Sequence, residues 1–318
     1  MSSEGIEIHN DRISITFHDR KHDAITTAGL GLVRGVGRIE AGGRETSFRD
    51  GILYIRTEGR PANFSVSRMT YNTTNVTAVS FADLRSGLER AGKSPQSGMG
   101  EILVILILEM DVPDAALARA AITSTEAITA SLQDLGLAYD SFSASGSRTQ
   151  NLVVVCDKGS TLRLRGAGKH TKLGELIGRS TIESVKASAE LNGISIASRR
   201  SVVSIMASCG YSKSDLFRLS GCEDKESFDQ GIALRDSDPK AVGAVSAALH
   251  VHNEMVWGLM DERTALTVAS EVVRSGLGKD YEGPDPLQML AISAAHYLAG
   301  QRCGVPDSVS SIFKSNIV

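Results

Sequence analysis

Two stretches of this 318-residue chain concentrate side chains able to do polar chemistry. The richer one is Arg165-Gly-Ala-Gly-Lys-His-Thr-Lys-Leu-Gly-Glu-Leu-Ile-Gly178, where glycines space out Lys169, His170, Lys172 and Glu175. Placed between a strand and a helix, such a loop faces the unpaired N–H groups of the first helical turn, which stabilise an anion or the oxyanion of an amide-hydrolysis transition state. Histidine has the side chain whose unperturbed pKa lies nearest neutrality, as a proton shuttle in hydrolysis needs. A solvated loop histidine is the competing reading of His170. The second stretch, Ser143-Ala-Ser-Gly-Ser-Arg-Thr-Gln150, gathers hydroxyls and a guanidinium beside Gly146 and suits hydrogen bonding to a polar ligand. A polar turn ahead of a strand would have the same composition.

Three familiar patterns fail or stay weak. Gly168-Lys169 looks like the core of a phosphate-binding P-loop, but Arg163 stands where its first glycine belongs and His170 where its Ser or Thr belongs. His250-Val-His-Asn-Glu254 would set His250 and Glu254 one helical turn apart, a spacing for two metal ligands. His252 would face elsewhere and no third ligand is assigned, so a solvated helix face is the favoured reading. Ser145-Gly-Ser147 is not the Gly-x-Ser-x-Gly elbow, which leaves a Ser-His-Asp triad without specific support.

The elements that must position these residues follow from periodicity. The first ~80 residues read as β-rich: Ile6–Ile8 and Ile13–Phe17 alternate with a period of two, and Ile52–Ile55 and Val76–Val79 are strands by composition. The glycine-dense run Gly29–Gly37 marks turning backbone, near a ligand or in a plain loop. Ile102–Met110 is apolar at nearly every position, as a strand covered on both faces would be. A helix is predicted after Pro113-Asp114, with a stripe at Leu117, Ala121, Thr125, Ile128, Leu132 and Leu135, ending at Gly136. Leu152–Cys156 and Thr161–Leu164 are the next strand candidates, followed by a helix from about Thr171 to Leu191. From Ser201 onward the chain reads as helical, with one or two helices between Ala244 and Arg274 and another from Asp285-Pro286 to Gly300. The fold class is therefore mixed α/β (α+β): a β-rich N-terminal part, strand–helix alternation in the middle and a helical C-terminal region. The expected division is an α/β core over 1–195 and a helical region over 196–318, docked on it because no flexible spacer separates them.

Composition narrows the classes further. A net charge of −3 without a basic stripe argues against electrostatic nucleic-acid binding. The N-terminus has no signal-peptide pattern, and the apolar run Ile102–Leu108 is too short to span a membrane, so a cytoplasmic location is expected. Cys156, Cys209, Cys222 and Cys303 are scattered, which fits reduced thiols better than a disulfide framework or zinc site. The sequons at Asn63, Asn72 and Asn75 then read as coincidental.

Three blocks together resemble the adenosylcobinamide amidohydrolases. They are Thr123-Ser-Thr-Glu-Ala-Ile-Thr-Ala-Ser-Leu132, Ala144–Thr149 and, most specifically, Gly166–Gly178. Residues 24–120 are similar more loosely, through Thr26-Thr-Ala-Gly-Leu and the glycines after it. The resemblance implies hydrolysis of the amide between a corrin propionyl group and its aminopropanol arm, giving adenosylcobyric acid in cobalamin salvage. It implies a small-molecule corrinoid substrate that carries the cobalt, with no cofactor or metal of the protein's own. Gln150 stands where the family pattern has an aspartate. For this chemistry His170 would shuttle protons, and Lys172 with the Gly166–Gly168 amides would donate to the oxyanion. Glu126 or Glu175 would orient a partner, and Ser145, Gly146, Ser147, Thr149, Gly166, Gly168 and Lys169 would bind substrate. The helical tail has no counterpart in the resemblance and could cover the pocket or make a homo-oligomer. No nucleic-acid or membrane partner is expected.

Overall fold

The computed structural model describes residues 4–17, 22–95, 97–139, 142–194 and 201–300. The chain divides into two compact units, one of Met1–Tyr139 with Ser143–Ser195 and one of Asp140–Phe142 with Ile196–Val318.

The strands in chain order are β1 (Glu4–Ile8), β2 (Ile13–Phe17), β3 (His22–Thr26), β4 (Gly31–Val36), β5 (Arg38–Ala41), β6 (Ser47–Arg49) and β7 (Ile52–Ile55). They continue as β8 (Ser65–Tyr71), β9 (Thr74–Asp83), β10 (Leu88–Glu89), β11 (Glu101–Leu108), β12 (Ala138–Tyr139), β13 (Phe142–Ser143), β14 (Gly146–Ser147) and β15 (Thr149–Asp157). Helix α1 (Asp114–Asp134) follows β11, and α2 (Lys172–Leu191) follows β15.

The first unit has three layers. A five-stranded sheet, β1-β2-β5-β7-β6, faces a six-stranded sheet, β4-β3-β15-β11-β9-β8, whose other side carries α1 and α2. This explains the apolar run in β11, which pairs in parallel with β15. Leu103, Ile105 and Ile107 face the first sheet, while Ile102, Val104, Leu106 and Leu108 face the helices. A strand buried on both sides needs no polar alternation.

The inner face of α2 is less apolar than a typical buried helix face. Ser180, Thr181, Ser184 and Ser188 are all buried there. Ser184 Oγ is 2.6 Å from Ser80 Oγ, Ser188 Oγ accepts from Ala82 N at 2.8 Å and donates to Asn63 O at 2.7 Å, and Thr181 Oγ1 meets Ser124 Oγ of α1 at 3.2 Å. Small hydroxyls let the helix lie close to the sheet; Thr181, Ser184 and Ser188 are satisfied across the interface and Ser180 by Ile177 O of its own helix, as buried polar groups must be.

Among the described residues, 201–300 of the second unit form the helices α3 (Val202–Ser208), α4 (Lys213–Leu219), α5 (Lys225–Arg235), α6 (Pro239–Val256), α7 (Glu262–Leu277) and α8 (Pro286–Ala299). Each starts on a Ser or Asp whose side chain accepts from a first-turn N–H, the capping that stabilises short helices. Its separate core includes Met206, Phe228, Val245, Val273, Leu290 and Leu298.

Several expectations are met. The β-rich first part, the mixed α+β class, the helix after Pro113, its stop at Gly136 (φ 59°), and the two helices between residues 239 and 277 are all present. Three are corrected. Thr161–Leu164 is not a strand: this irregular stretch wraps the end of β11, where Asp111 N donates to Leu162 O and Leu164 N to Asp111 O. The α1 stripe holds at Leu117, Ile128, Leu132 and Leu135, all buried, but between them it runs through Ala120, Thr123, Ser124 and Ala127 while Ala121 is half-buried and Thr125 exposed, because the hydroxyl pairing with α2 turns polar residues inward. Cys222 is disulfide-bonded, whereas Cys156 and Cys209 are buried thiols outside any disulfide, against the expectation of reduced cysteines throughout. Among the described residues no helix is long and apolar enough to cross a membrane. His250 and Glu254 form an exposed pair at 3.4 Å and His252 is buried.

Candidate active site

The connection from β15 to α2 is shaped by close backbone packing. Thr171 caps α2: its Oγ1 accepts from Gly174 N at 3.0 Å and donates to Gly168 O at 2.8 Å. A Cβ on Gly174 would lie 2.0 Å from Gly168 O, so only glycine allows this loop to seat on the first helical turn. From the other side Thr123 Oγ1 of α1 donates to Ala167 O at 2.9 Å. The loop is thus clamped between the two helices.

Against this clamp lies a cavity of about 280 Å³, lined by Arg119, Ile122, Thr123 and Glu126 of α1 and by Gly168, Lys169 and His170 of the loop. Lys169 Nζ pairs with Glu126 Oε1 at 2.9 Å. Both groups are solvent-exposed, so the pair adds at most about 1 kcal/mol of stability, and its effect is to fix where the two charges stand. The His170 ring packs on Gly168, where a Cβ would meet Cε1 at 2.9 Å. Together the pocket offers a histidine, an ammonium, a guanidinium and a carboxylate around one opening.

The pocket therefore gathers four of the sequence-selected residues: Glu126, Gly168, Lys169 and His170. Lys172 and Glu175 stand elsewhere on the first turn of α2. They pair with each other at 2.5 Å, and Lys172 Nζ lies 4.9 Å from the Tyr71 ring centroid. The Lys172 ammonium holds the Glu175 carboxyl below the usual carboxylate range. Gly166 precedes the clamp, with Thr171 Cγ2 3.4 Å from where its Cβ would stand.

The hydroxyl segment is not part of the cavity wall. Ser145 Oγ accepts from Ala91 N at 2.8 Å, and Ser147 Oγ donates to Thr149 O at 2.7 Å. Thr149 N donates to Gly100 O at 3.0 Å. Gly146 leaves room for Gln150, whose Oε1 would be 2.5 Å from a Cβ there. A link to the pocket does exist: Ser145 O accepts from Thr129 Oγ1 of α1 at 2.8 Å, one helical turn beyond Glu126. Beside this segment Glu101, paired in register with Thr149, is a buried carboxyl that accepts from Glu58 N at 3.0 Å and from Thr57. Burial pushes its pKa up, with the hydrogen bonds opposing.

Sequence reasoning missed Arg119, Ile122 and Thr123. The signal was available, because residues 119, 122, 123 and 126 share one helical face once Glu126 is selected.

Fold and site define the class: a three-layer α+β unit with a cationic pocket at the entry to a helix. Residues 44–195, which contain every residue of that pocket, match the model of the adenosylcobinamide amidohydrolase (CbiZ) family. The chain is 38% identical over 94 residues to the uncharacterized protein MJ1613 of Methanocaldococcus jannaschii, an alignment covering 29% of this chain and 36% of that protein. It thus spans about a third of that curated relative. The crystal structure of the PH0078 protein from Pyrococcus horikoshii OT3 superposes with a TM-score of 0.32 at 10% identity, covering 59% of this chain and 78% of that one.

Proposed function

We propose that the chain hydrolyses the amide joining a corrin propionyl side chain to its aminopropanol arm, releasing 1-amino-2-propanol and adenosylcobyric acid. The observation that carries this reading is that the family match encloses the Arg119–His170 pocket. At about 280 Å³ the cavity lies at the small end of ligand sites, which run from about 300 to 1,000 Å³. It suits the amide-bearing arm, with the macrocycle resting outside.

In this reading a water adds to the amide carbon while His170 takes its proton. Lys169 and Arg119 donate to the oxyanion, and the proton then passes to the departing amine. Glu126 holds Lys169 in place. Lys172, Glu175 and the hydroxyl segment support the loop and β15 from outside the pocket. Gln150 favours one rival, binding of cobinamide without cleavage, since an amide cannot move a proton as a carboxylate does. Incubating the protein with adenosylcobinamide and separating the products distinguishes them. Appearance of cobyric acid and aminopropanol without added nucleotide is the expected result. Retention of intact cobinamide in a stoichiometric complex would establish the rival.

A further inference from the structure

The helical unit has its own polar cavity, of about 470 Å³, outside residues 44–195. Its lining includes Arg235, Lys279, Tyr281, Ser293, His296 and Tyr297, and no carboxylate. Among the described residues neither Arg235 nor Lys279 is paired with an acid. Asp280, next in sequence to Lys279, is engaged instead by Arg274 at 2.9 Å and by Ser270.

Three features look built for an anion. The Tyr281 ring stacks on His296 at 4.0 Å and 13°, with Lys279 Nζ 4.8 Å from the same ring centroid. His296 is more than nine-tenths buried, yet its Nε2 has no hydrogen-bond partner. Such an orphan costs about 1–3 kcal/mol, a strain held in the cavity wall. Finally, Gly300 has φ 67°, and a Cβ there would lie 2.5 Å from Arg235 Cζ, so glycine makes room for the guanidinium beside the cavity.

We propose that this cavity binds a small organic anion, whose phosphate or carboxylate group is taken by Lys279, Arg235 and the His296 ring. Burial, then the charge of Lys279, keeps the imidazole pKa below its ordinary value. A bound oxyanion opposes both effects and raises it. The other titratable groups facing the ring are Arg235, Tyr281 and Tyr297, the last donating to Asp238 at 2.8 Å.

The test is an NMR titration of the histidine side chains in the full chain, with inorganic phosphate and, separately, citrate, assigning His296 through His296→Gln. A saturable shift of the His296 resonances and a higher titration midpoint are expected. Lys279→Gln, at an exposed position that leaves the fold intact, should weaken binding about ten-fold, as loss of one charge-assisted hydrogen bond does. A response to phosphate alone assigns a phosphate-bearing ligand, and one to citrate alone a carboxylate. Absence of a saturable response to both overturns the proposal. So does a response unchanged in Lys279→Gln and Arg235→Gln.

Discussion

In the connection from β15 to α2, glycines at 168 and 174 bring loop and helix into backbone contact, and Lys169 and His170 are left standing at a cavity. In the segment leading into β15, Gly146 admits the side chain of Gln150, and the flanking serines bond to backbone. Both segments are rich in glycine and polar side chains. What separates them is how local backbone groups are satisfied. Short hydroxyls reach neighbouring N–H and C=O groups and are consumed by them, whereas long charged side chains on a clamped loop cannot reach their own backbone and project outward.

The largest test of this contrast is Gly174→Ala. Its methyl would strike the Gly168 carbonyl, so we expect a loss of about 3 kcal/mol in urea unfolding together with loss of turnover. Gly178→Ala, four residues further along the same helix with open space around it, should instead gain about 0.5–1 kcal/mol. If both variants behave alike, the clamp has no special role. Next in size is His170→Ala, expected to lower turnover about 10²-fold with unfolding unchanged. An unaltered rate constant would return His170 to a solvated loop residue.

Smaller effects are expected in the other segment. Ser147→Ala should cost about 1 kcal/mol of stability and leave turnover alone. A fall in turnover without a fall in stability would place that hydroxyl in the chemistry after all. The smallest change is that of Glu101→Gln, which probes the strand end beneath the same segment. A carboxyl whose folded pKa is raised contributes most below the ordinary carboxylate pKa and loses that contribution as pH rises through the raised value. The substitution should flatten the stability profile across that window, while the introduced amide oxygen still accepts from Glu58 N. Denaturation midpoints measured at several pH values would show a persistent slope if another group is responsible.

Much of the scaffold was legible because its signals are local. An unbroken apolar run made β11 a doubly covered strand, and Gly136 marked the end of α1 through left-handed backbone. Thr161–Leu164 misled because its alternation reflects two leucines packing at the margin of the core while the backbone bonds to Asp111. The middle of the α1 stripe misled because hydroxyls that pair across a helix interface look polar in sequence and are buried in space. Of the site, the loop and Glu126 were readable and the rest of the opposite wall was not: Arg119 becomes notable only when α1 and the loop meet, and that depends on tertiary packing.

The serine-lined face of α2 has a consequence for how the pocket keeps its dimensions. A helix resting on branched hydrocarbon can creep along a sheet, trading one set of loose contacts for another. Here a slide by one turn, about 5.4 Å, would separate Ser184 from Ser80, Ser188 from Ala82 and Thr181 from Ser124, stranding buried polar groups at each point. The hydroxyls act as detents. They hold the near end of α2, and with it His170, at a fixed station along α1.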